Sequence, residues 1–197
     1  LGDLMHYVCT INEANMGIQV AAISARYRAQ MMAKIQRMQQ GGAEEKKDLE
    51  GTAQVGMNFN DMMANMQKQK EENVEVFGTD TLQTFVSART PEGDMLVIRA
   101  HQAAKAAMKA VKPKLQIGLT LSLHDIQAQE GGEEAAAKEW VDEFTHYVPY
   151  IKEDDFFGLQ NYSRSLIGPN GILPVPEGAE TTQMDYEYYP EGLEHVI

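Results

Sequence analysis

The residues best suited to chemistry are Asn12-Glu13, at the end of the apolar run Tyr7-Val8-Cys9-Thr10-Ile11. A carboxyl placed after a buried strand and shielded from water keeps its proton to higher pH, so it can protonate a departing oxygen near neutrality. The amide of Asn12 beside it is suited to hold a hydroxyl. The same spacing also fits a second role, in which Glu13 caps the helix that follows. Tyr162 offers a phenol after a later apolar segment, and it reads equally as a loop tyrosine with its hydroxyl in water. His124 and Asp125 follow a third segment. A histidine beside a carboxylate can begin a metal site, but no further ligand lies at a helpful spacing, so no metal is expected and His124 reads better as part of a pocket wall. His101 falls inside a helical stretch and reads as structural. Neither G-x-G-x-x-G, a Walker motif nor G-x-S-x-G occurs, and no cofactor is expected.

Three strands must position these groups. They are Tyr7 to Ile11, followed by Asn12-Glu13; Leu115 to Leu121, followed by Ser122-Leu123-His124-Asp125; and Phe156 to Gln160, followed by Asn161-Tyr162-Ser163-Arg164. Helices separate them. Residues 92 to 111 set Met95, Ile98, Ala103, Ala106 and Ala110 at broadly helical spacing before Pro113. Residues 133 to 148 set Ala136, Trp140, Phe144, Tyr147 and Val148 on a stripe before Pro149. Strand-helix alternation of this kind is the pattern of parallel βαβ units, which carry function at the carboxyl ends of their strands. Residues 17 to 89 differ. They hold Met31, Met32, Met38, Met57, Met62, Met63 and Met66, are punctuated by Gly41-Gly42 and Gly56, and contain the charge run Glu44 to Asp48. They read as a largely helical excursion whose one candidate strand is Leu82 to Val86. Methionine at helical spacing is ordinarily core, and the alternatives are a cap over a pocket or an oligomer contact. Residues 165 to 182 have loop composition, and Pro190-Glu191-Gly192-Leu193 looks like a helix start.

The chain of 197 residues, 43% hydrophobic, is long enough for one domain with a core. Its formal charge of -12 would repel a phosphate backbone, so nucleic acid is not expected as a partner. No apolar run approaches the roughly 20 residues of a membrane span. Cys9 is the single cysteine, so no internal disulfide forms, and its apolar surroundings predict a packed thiol compatible with a cytoplasmic setting. The first residue is Leu1, and the start of the sequence reads as the middle of a longer chain.

Several segments together resemble glycoside hydrolase family 1, the β-glucosidase-like barrels. Cys9-Thr10-Ile11-Asn12-Glu13-Ala14-Asn15 resembles that family's T-x-N-E-P motif. Asp154 to Arg164 is similar to its D-D-F-x-G-x-N-Y-Y-T segment, and Gln183 to Leu193 to its M-G-W-x-x-Y-P-E-G-L stretch. Arg99 to Ala104 resembles its A-H-x-x-A helix, and Lys114 to Ser122 its x-x-G-x-T-L-N strand. The order fits the fourth to sixth strand-helix units, with matches over residues 1 to 16 and 92 to 197. The resemblance implies a partial (β/α)8 TIM barrel as one domain, with the Met-rich excursion at 17 to 89 inside it.

It also implies a retaining double displacement on β-glucosides or β-galactosides, with two carboxyl groups about 5 to 5.5 Å apart. Glu13 then matches the acid/base, Asn12 the residue that holds the sugar 2-hydroxyl, and Tyr162 the tyrosine that bonds the nucleophile. Gln160 stands where the family has Asn, and His124 is placed toward the aglycone. The sequence departs from the motifs at Ala14, Gln160 and Asn161, where the family has Pro, Asn and Tyr. The nucleophile's T-E-N-G motif does not occur in the 197 residues. The chain alone is therefore expected to be inactive. A non-catalytic protein that binds a glycoside or a partner, and a 6-phospho-glycosidase, stay open.

Overall fold

The computed structural model describes residues 4–40, 59–85 and 87–197. Two compact units divide the chain: residues 1–21 with 88–197, and residues 22–87. Among the described residues the first unit carries every strand.

β1 (Tyr7–Cys9) runs parallel to β2 (Gln116–Gly118), with Val8 opposite Ile117. After Leu119 the same course of chain resumes as β3 (Thr120–Ala128), which pairs in parallel with β4 (Gly158–Gly168). β5 (Gly171–Ile172) folds back antiparallel on the end of β4. Backbone bonds carry the first ladder past its named strands: Thr10 N–H to Gly118 O, Thr120 N–H to Ile11 O, and Ala14 N–H to Thr120 O. Parallel neighbours require long crossovers. One contains α3 (Pro91–Val111). The other contains α4 (Glu133–Trp140), a π-helical turn at Val141–Thr145 and α5 (Val148–Ile151).

α3 begins one residue before the expected range of 92 to 111. Thr90 Oγ1 accepts from Gly93 N–H at 3.2 Å, and Pro91 occupies the first turn, where its missing N–H costs nothing. Glu92 and Asp94 face the positive end of the helix dipole. Its packed face differs from expectation. Ala103, Ala106 and Ala110 are exposed, whereas Asp94, Ile98 and His101 are buried. Ile98 and Met95 of the expected stripe do lie in and against the core, but the buried positions, which recur at three and four residues, include two polar ones that apolar periodicity does not mark.

The expected helix over 133 to 148 is broken. Pro149 opens α5 instead of ending the stripe, and the π-helical turn absorbs the change. Leu119, Leu121 and Leu123 alternate toward Ala14, Ile98, Tyr147 and Ile151 to form the core. Each buried leucine contributes roughly 1.5–3 kcal/mol relative to exposure. Gly118 lets the strands approach: a Cβ there would lie 2.1 Å from Phe156 O.

The strands are also longer than the polar clusters suggested. Ser122 to Asp125 and Asn161 to Arg164 lie within β3 and β4 rather than after them. Side-chain partners satisfy these polar residues inside the sheet. Asn161 Nδ2 donates to Leu123 O, and Ser163 Oγ donates to Glu187 O. The supposed loop at 165 to 182 begins as the last residues of β4 and the β5 hairpin.

α1 (Met16–Gln40) starts in the first unit and continues into the second, which also holds α2 (Phe59–Phe77). In α2, Met66 is exposed and Lys68 pairs with Glu72 at 3.7 Å. Residues 82–85 form no strand. Gly41-Gly42, Gly56, Met57, the charge run from Glu44 and Val86 lie outside the described residues. α6 (Gly192–His195) forms where Pro190 predicted a helix start. Among the described residues no helix is long and apolar enough to cross a membrane.

Candidate functional site

Glu13 stands where β1 gives way to α1, and its backbone is left-handed, with φ 47°. A side chain with a Cβ pays for that conformation with about 1–2 kcal/mol, so the surroundings must hold it. They do so through β3. Glu13 N–H donates to Thr120 Oγ1 at 2.7 Å, and the next amide, Ala14 N–H, donates to Thr120 O at 2.9 Å. The Thr120 hydroxyl passes its own proton to Asn12 Oδ1 at 3.1 Å. Gln160 Nε2 donates to the same oxygen at 3.0 Å. With its oxygen occupied twice, Asn12 is left to present its NH2 outward from an exposed position. Gly158 makes room for this arrangement, since a Cβ there would meet Thr120 Cγ2 at 2.6 Å.

Tyr162 reaches the same place from β4. Its hydroxyl donates to Glu13 Oε1 at 2.5 Å. The hydrogen bond to Glu13, then burial, then the charge of Glu13 push the phenol up to about 12. Glu13 is half-buried and forms no ion pair among the described residues. The ring of Tyr186 lies 6.4 Å from that of Tyr162. The segment bearing Tyr186 is anchored by Arg164, which grips Glu187 with two bonds of 2.8 and 2.7 Å and lies 4.2 Å from the Tyr189 ring centroid. That pairing lowers the Glu187 carboxyl and raises the Arg164 guanidinium from their ordinary values.

Glu13, Asn12, Gln160 and Tyr162 are thus brought together. A register shift between Leu123 and Asp125 interrupts the alternation of β3. His124 Nδ1 lies 2.9 Å from Glu143 Oε1, and its N–H donates to Glu143 Oε2 at 3.1 Å. Asp125 turns elsewhere, toward Gln127 and His195. Among the described residues no group of three or more His, Cys, Asp or Glu could hold a metal ion. Cys9 is exposed, which corrects the packed thiol expected for it. Among the described residues β1 is paired only by β2, and the half-buried position in β1 belongs to Val8.

Thr120 and Asn15 are the contributors that residue-type reasoning missed. Asn15 is fully buried; its Nδ2 donates to Ser122 O and Glu143 O, and its Oδ1 accepts from Ser122 N–H. Its three bonds tie the turn after Glu13 to β3 and to the π-helical turn. The signal for Thr120 was the threonine of the x-x-G-x-T-L-N resemblance. Behind the site, Arg89 Nη2 donates to Ala14 O at 2.6 Å. Asp94 receives the Tyr147 hydroxyl at 2.8 Å and His146 Nε2 at 2.9 Å. Burial and Asp94 drive the Tyr147 phenol far up.

Comparison with solved structures agrees with this architecture. The chain is similar over its whole length to the crystal structure of β-glycosidase BGL167, at 31% identity and a TM-score of 0.69, and covers 40% of that chain. Over 99% of its length it is similar to the apo structure of β-glucosidase 1317, at 24% identity and a TM-score of 0.65, again covering 40%. The second likeness speaks to fold alone. No family model and no curated protein matches. The chain has the fold of part of a β-glycosidase barrel and spans about 40% of the length of either structure.

Proposed function

We propose that this chain supplies the acid/base half of a retaining β-glycosidase site acting on β-glucosides or β-galactosides. Glu13 is the proton donor and acceptor. The observation that carries the reading is its strained φ of 47°, held by Thr120 at the carboxyl end of a parallel strand. A helix cap would not require that strain or a phenol donating to the carboxylate. Asn12, with its carboxamide oxygen already engaged, donates from Nδ2 to a sugar hydroxyl, and Gln160 fixes the rotamer of Asn12. The partner carboxylate belongs to a segment outside these 197 residues. His124 is held by Glu143, on the π-helical turn.

The test uses protein expressed from the whole coding sequence that contains residues 1–197. It should hydrolyse an aryl β-glucoside with retention of configuration. Glu13→Gln should lower kcat/KM on an alkyl β-glucoside about 10²–10⁴-fold, the usual contribution of a general acid/base. Inversion, or an unchanged rate in Glu13→Gln, would refute the assignment.

A further inference from the structure

The turn that bears Glu13 is held on two sides. From β3, Thr120 takes the amides of Glu13 and Ala14. From the start of α3, Arg89 takes the carbonyl that follows: its Nη2 donates to Ala14 O at 2.6 Å. Ala14 is fully buried, and the amide four residues on, Ile18 N–H, donates to Asn15 O at 3.0 Å. A buried carbonyl that loses its donor regains one only by admitting water, so the turn would have to open. Arg89 is itself fixed. Its own N–H donates to Gly17 O at 2.9 Å. Its guanidinium lies so close to the first turn of α1 that a Cβ on Gly17 would come 2.0 Å from Nε. Thr90, next in the chain, caps α3. One side chain thus joins the start of α3, the first turn of α1 and the peptide just past the left-handed residue.

Granted the acid/base reading of Glu13, we propose that Arg89 is a positioning residue for it. The guanidinium keeps the Glu13–Ala14 turn in its strained, left-handed form and so sets the direction of the carboxyl, without touching the sugar. Gly17 belongs to the same device, because any side chain there would displace the guanidinium. Thr120 alone holds two amides and leaves the Ala14 carbonyl unmatched, so neither anchor replaces the other.

Arg89→Ala and Gly17→Ala, made in protein from the whole coding sequence, test this. Gly17→Ala is the milder change, because its methyl meets a side chain that can swing aside, and it decides alone if Arg89→Ala does not fold. Hydrogen–deuterium exchange read by mass spectrometry reports on the turn. The peptide spanning residues 10–19 should exchange about tenfold faster in both variants, the worth of one hydrogen bond from a charged group. Adding Glu13→Gly should return most of that protection, because glycine adopts the left-handed form without strain. An unchanged rate, or faster exchange that Glu13→Gly leaves as it is, overturns the proposal whatever the activity. In kinetics on an alkyl β-glucoside, both variants should lower kcat about tenfold with KM little changed, and should lower it no further in the Glu13→Gln background. A loss of equal size in that background also overturns the proposal. If the wild type turns over no glucoside, the acid/base reading fails, and the exchange rates still decide whether Arg89 holds the turn.

Discussion

Asp154 and Asp155 lie just before β4, and Glu13 lies just after β1. All three are carboxylates beside a strand, and they are treated in opposite ways. Asp154 meets Lys105 at 2.7 Å and His101 at 2.9 Å, with His101 fully buried. His101 in turn bonds Thr10 at 2.6 Å. Asp155 accepts from Lys109 at 2.7 Å and from Ile117 N–H at 2.8 Å, and these bonds hold its carboxyl below the ordinary range. His101, Lys105 and Lys109 recur every four residues along α3, so one face of that helix clamps both aspartates. Glu13 has a neutral phenol and a strained backbone instead. Carboxylates that fasten the fold are matched with cations. Glu13, the carboxylate proposed for chemistry, is left with a neutral donor and no cation among the described residues.

The contrast can be broken at either end. Asp154→Ala should be the most damaging to stability, costing about 3–5 kcal/mol, because Lys105 and His101 lose their shared anion. Denaturant midpoints measure this, and a loss below 1 kcal/mol would mean that the clamp is not holding the fold. Gly118→Ala should cost about 3 kcal/mol, since its Cβ would press on the backbone carbonyl of Phe156, which cannot rotate away. At the other end the sign reverses. Glu13→Gly should be more stable than Glu13→Ala by about 1 kcal/mol, because glycine relieves the left-handed strain. Equal stabilities would show that the turn is not strained in solution.

The smallest effect concerns His146. Burial pulls its imidazole down, but its bonds to Asp94 and Val141 outweigh burial and raise it overall. A raised folded value means that this stabilisation is complete below the unfolded value of about 6.5. It fades as pH rises through the higher folded value. The melting temperature should fall slightly over that window, and His146→Gln should flatten the slope. A slope unaltered by the substitution would place its origin elsewhere.

Much of the architecture was legible because local signals agreed. The helical spacing over 92 to 111 and Pro113 bounded α3 to within a residue or two, and each strand began near its apolar run. Strand ends were not legible. Ser122, Asn161 and Ser163 look like terminators, yet partners distant in sequence satisfy them within the ladder. The packed face of α3 was read only in part, at Met95 and Ile98, because Asp94 and His101 are buried through their partners, which no apolar pattern records. In the candidate site, Asn12, Glu13, Gln160 and Tyr162 were named by type and motif, and the structure joins them by hydrogen bonds. Thr120 acts across 107 residues, so its role appears only once β1 and β3 lie side by side. For His124 the sequence could not set a direction, because a register shift between Leu123 and Asp125 breaks the two-residue alternation of β3.

The central claim is that Glu13 gives and takes the proton at the sugar. The most direct measurement uses Glu13→Ala, a nitrophenyl β-glucoside and added azide, with protein from the whole coding sequence. A nitrophenolate departs without an acid, and azide attacks the sugar–enzyme bond without a base, so the missing carboxylate is bypassed. The account predicts slow turnover that azide restores, with the β-glucosyl azide as product. Turnover that azide leaves unchanged, or a product of the α configuration, would contradict it.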